Sequence, residues 1–468
     1  MEIDPEEANS FLSMSQNFSA LTLRTRNEIA SYLFEPIQKI NSNEYPLELE
    51  GVTTIRKMLS ARSPPCREVV GANILPSLLE MSCTRPEKFI YEVSWMICNI
   101  AAGDSYCVKY LLSIYEVSWM ICNIAAGDSY CVKYLLSINV LDFLNRHFIS
   151  ASNEIKDQIF WTLGNIAADG QQCQSAIFLS PIFHKVLKYI ETLIKPAEKN
   201  LVWAVSNLSH IIPDPELPYT PILENFFIKT LIESTNQEIL IDACWGLFYI
   251  TESSKFASIY TNNILKRIID LMTHFCISLS YSTTRIIGNI VMKTKHSWVV
   301  LKELGIVDVI SALLDHNMKN VKKEALGILS NLCSEGSDVV SFVRSKGIYE
   351  KLLGKLACEE QDIKCEIIWT IANSVHCALT DDVNYIFDIG WVDAQLNVFG
   401  CISQPGVRKV LVYGLYLIFS KMKRPLEHAH LRKLKNCEGF SENNDEVMQY
   451  FDKIISMYGE DEDCCADN

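Results

Sequence analysis

The sequence predicts an all-α, right-handed superhelical solenoid, and three observations lead there. Trp119, Trp161, Trp203 and Trp245 recur, each 42 positions after the one before. Four residues after the first three stands an asparagine, giving Trp119/Asn123, Trp161/Asn165 and Trp203/Asn207, while Trp245 is followed by Tyr249. The same rhythm resumes downstream as Arg285/Asn289, Gly327/Asn331 and Trp369/Asn373.

A step of about 40 to 47 residues is the mark of helical armadillo and HEAT repeats, whose units bury each other's apolar faces by stacking. About nine to ten armadillo repeats fit between residues 49 and 458. Their hydrophobic share, 49% over the whole chain of 468 residues, suffices for a core that grows along one axis. Residues 1 to 48 lack the pattern and read as a weakly ordered or capping arm. The stretch 459 to 468 reads as an acidic, solvated tail.

Within each unit the Trp and Asn positions fall near the end of a third helix. Gly127 and Gly170 close two of these helices, as a left-handed cap would. Pro213, Pro215, Pro218 and Pro221 forbid continuous helix and predict a longer loop. Residues 91–114 and 115–138 are the same 24 letters in tandem, YEVSWMICNIAAGDSYCVKYLLSI. The copied block holds a third helix and the next first helix but lacks a second helix like that at Val140 to Phe148. One copy is therefore expected to bulge or distort the spiral.

Charge and cysteine usage exclude several functions. A formal net charge of −14 opposes nucleic acid, which needs a basic stripe, and points to a basic ligand. The 17 cysteines are scattered through apolar helical patterns, as at Cys98, Cys244 and Cys365, and none shows zinc-ligand spacing. They read as small core residues in a reducing compartment. The longest apolar run, Val410 to Phe419, is too short to cross a bilayer, so a soluble, intracellular chain without membrane association is expected. With no phosphate-binding glycine loop, H-E-x-x-H or nucleophile elbow, neither an enzyme nor a cofactor is expected.

On a helix, residues i and i+4 share a face, so each Trp and its Asn point the same way. Indoles one repeat apart leave slots for the aliphatic stems of Lys or Arg, whose cationic ends gain roughly 0.5 to 2 kcal/mol over the ring. Asparagine offers one donor and one acceptor to an extended peptide backbone. A lone Trp usually fills a core, but core filling does not call for a polar Asn one turn later. Trp298 and Trp391 fall outside the ladder and are expected to pack, so Trp391→Ala should leave peptide binding unchanged. The alternative is an armadillo scaffold for a complex unrelated to transport, which would not need the paired rows.

The stretches RKMLSARSPP, WMICNIAAGDS, FWTLGNIAADG, KNLVWAVSNL, DACWGLFYIT, TRIIGNIV, VKKEALGILSNL and IIWTIANS resemble, in order, the first eight repeats of importin alpha. The end, NCEGFSENNDEVMQYFDKIISMYGEDED, is similar to that family's last repeat and acidic tail. The resemblance implies a nuclear import adaptor that shuttles between cytoplasm and nucleus and binds Lys/Arg-rich nuclear localisation signals. It implies a major site of Trp119, Asn123, Gln158, Trp161, Asn165, Asp169, Asn200, Trp203, Asn207 and Asp242. A minor site would comprise Arg285, Asn289, Glu324, Asn331, Glu366, Trp369 and Asn373. Importin beta and a nuclear export receptor are the implied partners.

Departures from the family qualify these expectations. Gly327 stands where a ladder Trp is usual, Lys295 replaces an acidic residue, and Trp298 replaces a small polar one, so the minor site is expected to be weak. Val132 replaces a threonine that helps hold a lysine. The first 48 residues contain only Arg24, Arg26 and Lys39 as basic residues, unlike the family's highly basic importin-beta-binding segment. That argues against importin beta and against autoinhibition by a basic mimic.

Overall fold

The computed structural model describes residues 26–61, 63–82, 84–101, 121–137, 139–149, 151–194, 196–210, 219–252, 261–294, 296–422, 430, 433 and 445–458. Their regular secondary structure is helical throughout, and the fold is an α-solenoid. The chain forms two compact units, 1–211 and 212–468.

In the first unit α1 (Arg26–Ile40) packs on α2 (Tyr45–Leu59). The approach is close, since a Cβ on Gly51 would lie 2.6 Å from the Pro36 carbonyl. Residues 26–40 therefore form a helix laid against the first repeat. There follow α3 (Cys66–Gly71), α4 (Leu75–Ser82), α5 (Glu87–Ala101), α6 (Ser129–Ser137), α7 (Val140–His147), α8 (Asn153–Ala168), α9 (Gln171–Leu179), α10 (Pro181–Glu191) and α11 (Lys199–Ser209). Third helices stack on third helices, α2 on α5 and α8 on α11. Leu163, Ile166, Val202 and Val205 are buried on α8 and α11. Each such side chain contributes roughly 1.5 to 3 kcal/mol by leaving water.

The second unit comprises α12 (Thr220–Glu233), α13 (Gln237–Glu252), α14 (Asn262–Met272), α15 (Ile277–Lys293), α16 (Ser297–Glu303), α17 (Ile306–Leu313), α18 (Lys319–Cys333), α19 (Ser337–Ser345), α20 (Ile348–Cys358), α21 (Gln361–Cys377), α22 (Thr380–Asp388), α23 (Trp391–Phe399), α24 (Pro405–Lys421) and α25 (Asp445–Tyr458). Its stacking row is α13, α15, α18, α21, α24 and α25. Phe451 and Ile454 on α25 are buried, with Phe451 edge-on to Phe399.

Local chemistry sets the helix ends. Ser152 caps α8, accepting from the Ile155 amide at 3.3 Å, and Gly170 at φ +118° turns the chain away at the other end. Gly127 does not take a positive φ; its amide donates to the Ile124 carbonyl instead. The left-handed residues lie mainly elsewhere, at the corner between first and second helices: Asn73, Asn139, Gly305, Gly347 and Gly390. Asparagine and glycine tolerate that backbone best.

Cysteine placement follows the core reading in part: Cys122, Cys244, Cys333 and Cys365 are buried, with desolvation pushing the Cys122 and Cys244 thiols up to about 12, while Cys358 and Cys401 are exposed. The two raised thiols stay protonated and unreactive at neutral pH. No described helix is long and apolar enough to cross a membrane. The arm before residue 26, the loop at 211–218, most of the first copy's end and the second copy's start (102–120), and the tail from 459 lie outside the described residues.

Candidate functional site

Exposure separates the tryptophans into two classes. Trp161, Trp203 and Trp245 are half-buried, and Trp369 is 44% exposed. Trp298 and Trp391, outside the ladder, are 4% and 0% exposed. The ladder indoles therefore present a face to solvent while the others fill the core; Trp119 lies outside the described residues.

Asn165, Asn207 and Asn373 are each braced by the preceding third helix. The Asn165 amide donates to the Cys122 carbonyl at 3.2 Å, and Asn207 donates to the Gly164 carbonyl at 3.2 Å. Asn373 donates to Ser330 Oγ at 2.9 Å. A carboxamide has two N–H donors and an acceptor oxygen, so one bond fixes its plane and still leaves groups for a ligand. Asn289 is different. Its nitrogen donates both to Thr251 Oγ1 at 3.0 Å and to the Phe248 carbonyl at 3.4 Å, and the residue is 7% exposed.

Packing between the rungs exposes a residue that pattern reading overlooked. A Cβ on Gly164 would sit 2.3 Å from Cζ3 of Trp203, so the indole lies directly on the bare backbone of α8. The only sequence signal was a glycine in mid-helix, three positions after a ladder Trp, where glycine costs stability unless something must come close.

Other residues of the implied major site have partners within the first unit. Gln158 is buried, its Oε1 3.3 Å from the Cys122 thiol. The Asn200 amide donates to Asp157 at 2.7 Å, and Asp169 accepts from Ser129 Oγ at 3.0 Å. Asn123 is exposed. Val132 is buried on α6, with no hydroxyl to offer a ligand. Asp242, on α13, belongs to the second unit and is half-buried there.

In the second unit, cations of the chain itself occupy the ladder. The Arg285 guanidinium lies 4.5 Å over the Phe248 ring and pairs with Glu324 at 3.4 Å and Glu252 at 3.5 Å. Lys323 lies 3.8 Å from Glu366. Burial raises the carboxyls of Glu324 and Glu366 above the usual glutamate range. At Gly327 a Cβ would meet nothing, so the wall of a slot is missing between them. Asn331 is half-buried on α18, and Lys295 lies outside the described residues.

The comparisons with known proteins bear on family and fold. The model of the Armadillo/beta-catenin-like repeat matches residues 294–334. Importin subunit alpha-1b of Oryza sativa subsp. japonica is 25% identical over 299 residues, 62% of this chain and 51% of that protein. Importin subunit alpha-5 of Arabidopsis thaliana is 24% identical over 449 residues, 90% of this chain and 80% of the relative. The chain is a divergent, importin-alpha-like armadillo-repeat protein. Its matched region spans about half the length of the first curated relatives. In fold it is similar to an engineered protein of known structure, with a TM-score of 0.59 at 17% identity, covering 91% of this chain and 98% of the other.

Proposed function

We propose that this importin-alpha-like chain is a non-enzymatic nuclear import adaptor that binds extended Lys/Arg-rich localisation signals and shuttles between cytoplasm and nucleus. The observation that carries the reading is the split among tryptophans: the described ones on the 42-residue ladder keep a solvent face, and Asn165 and Asn207 beside Trp161 and Trp203 are each anchored by a hydrogen bond to the preceding ladder helix. Indole slots would take the aliphatic stems of basic side chains, and the remaining carboxamide groups would hold the peptide backbone. Asn123, Trp161, Asn165, Asp169, Trp203 and Asn207 carry the main site in this proposal, with Trp119, Gln158, Asn200 and Asp242 implied by family resemblance.

The second ladder is proposed as weak. Its carboxylates already face Arg285 and Lys323, Gly327 supplies no wall, and Asn289 spends its amide inward. Proteins bearing basic signals are the proposed cargo, and a nuclear export receptor is a proposed second partner. The shortage of basic residues before position 49 argues against strong importin-beta binding.

Fluorescence-polarisation titration of the full chain with a labelled single-cluster lysine-rich peptide tests the proposal. Saturable binding at micromolar protein, weakened by salt, is the expected result. No saturation at moderate salt refutes it and favours a scaffold.

A further inference from the structure

One cation slot in the first unit is already filled, and the filling residue comes from the neighbouring repeat. Arg56, on α2, places its guanidinium carbon 4.3 Å above the Trp95 ring on α5. Its Nε donates to Glu92 Oε2 at 2.7 Å and its second nitrogen to Oε1 at 3.4 Å, a two-pronged grip. Both partners are buried. Tyr91 stands edge-on to Trp95 at 5.7 Å and closes one side. An indole, a carboxylate three residues before it and a seated guanidinium are together what a basic peptide side chain would find in an open slot.

The duplication gives the chain two copies of this ladder segment, Trp95 in the first and Trp119 in the second. In the first copy, α5 packs on α2, with Asn99 donating to Ser60 Oγ at 3.0 Å. In the second copy it is the Cys122 carbonyl that receives Asn165 of α8, and the Cys122 thiol that meets Gln158. Among the described residues, the first copy meets α2 and the second meets α8.

We infer that Trp95 and Glu92 form a guanidinium-binding site that Arg56 occupies as a built-in plug, so that the first copy is withheld from basic peptides and Arg56 sets where the peptide ladder begins. This inference rests on the peptide-binding proposal above. Removing the plug should open one additional slot for an Arg or Lys side chain, with a buried carboxylate in need of a cation.

The test uses the full chain as wild type, Arg56→Ala, Arg56→Ser and the double variant Arg56→Ala/Glu92→Gln. Arg56→Ser clears the indole but leaves a hydroxyl to face Glu92, which gives a second route to a folded, unplugged chain, and circular dichroism monitors folding of each variant. Two probes are titrated: a labelled arginine-rich peptide, read by polarisation, and agmatine, a free guanidinium, read by thermal melting. Whichever single variant is folded should bind the peptide roughly threefold or more tightly than wild type, the scale of one cation over an indole. Millimolar agmatine should raise its melting midpoint, while wild type and the double variant should not respond. Unchanged or weaker peptide affinity in folded single variants, with no agmatine response, overturns the plug. If wild type binds no basic peptide, the function proposed above fails, and the agmatine response alone decides whether the slot exists.

Discussion

Trp161 and Asn165 are half-buried side chains whose removal leaves the core of α8 intact, so their effects should register in binding rather than folding. Trp161→Ala or Asn165→Ala should each weaken peptide binding by about 1 kcal/mol or more, measured by polarisation. The control matters. Trp391 is wholly buried, and truncating it would cost roughly 3 to 5 kcal/mol of stability, so it cannot serve as the neutral substitution its position outside the ladder suggests. Leu179, 87% exposed at the end of α9, is the better choice, and Leu179→Ala should leave affinity within error. Gly164→Ala makes a sharper demand. The new methyl collides with the Trp203 ring, so the indole must move, and peptide affinity should fall about as much as when a ladder Trp is removed. Crystallographic or tryptophan-fluorescence evidence that Trp203 stays in place with undiminished affinity would contradict this.

Among helices, the repeat is built from two devices that lie on different elements. The third helices carry the Trp/Asn ladder pairs, and the corners before the second helices carry the left-handed residues. Gly347, at φ +69°, is such a corner between α19 and α20. Gly347→Ala should lower stability by roughly 1 to 2 kcal/mol, whereas Gly347→Asn should cost less. Denaturant unfolding would check both, and equal losses would remove the left-handed backbone as the cause. Asn73 and Asn139 already fill the equivalent corners. The 42-residue pattern was legible because tryptophan is rare, with 8 in the chain, and recurs at one step with an asparagine four residues after it in most units. The corners were not, because glycine and asparagine there alternate and sit at no apolar period.

Over the whole molecule, the net charge of −14 favours basic partners, and pH should modulate the two ladders differently. Burial raises the Glu324 and Glu366 carboxyls, so these groups take up protons while ordinary carboxylates remain charged. Whatever basic peptide the second ladder holds should be released as pH falls below neutral, at a higher pH than that at which ordinary carboxylates protonate and the first ladder loses affinity. A titration of a two-cluster peptide against a one-cluster peptide over that range checks it; parallel curves would count against the assignment. For stability the sign is opposite to that of carboxylates held below their usual range. Raised groups favour the folded state when protonated and oppose it once charged. Asp315, held below its ordinary range by hydrogen bonds from Lys351 and Lys355, contributes stability above its unfolded value that fades as pH falls through the folded one. Asp315 is largely exposed, so that contribution is small.

The sequence by itself determined the repeat, the all-helical class, the acidic balance and the face on which Trp and Asn fall together, because helical geometry converts spacing into direction without knowledge of neighbours. Tertiary structure alone decided which slots are open. Arg56 and Trp95 are 39 positions apart, as are Gly164 and Trp203, while Phe248 and Arg285 are 37 apart. Whether such residues touch depends on how one repeat leans on the next, and that lean is set by packing volumes summed over both helices. A cation that looks like a surface charge in the sequence becomes the occupant of a binding slot only once the neighbouring helix brings an indole beneath it.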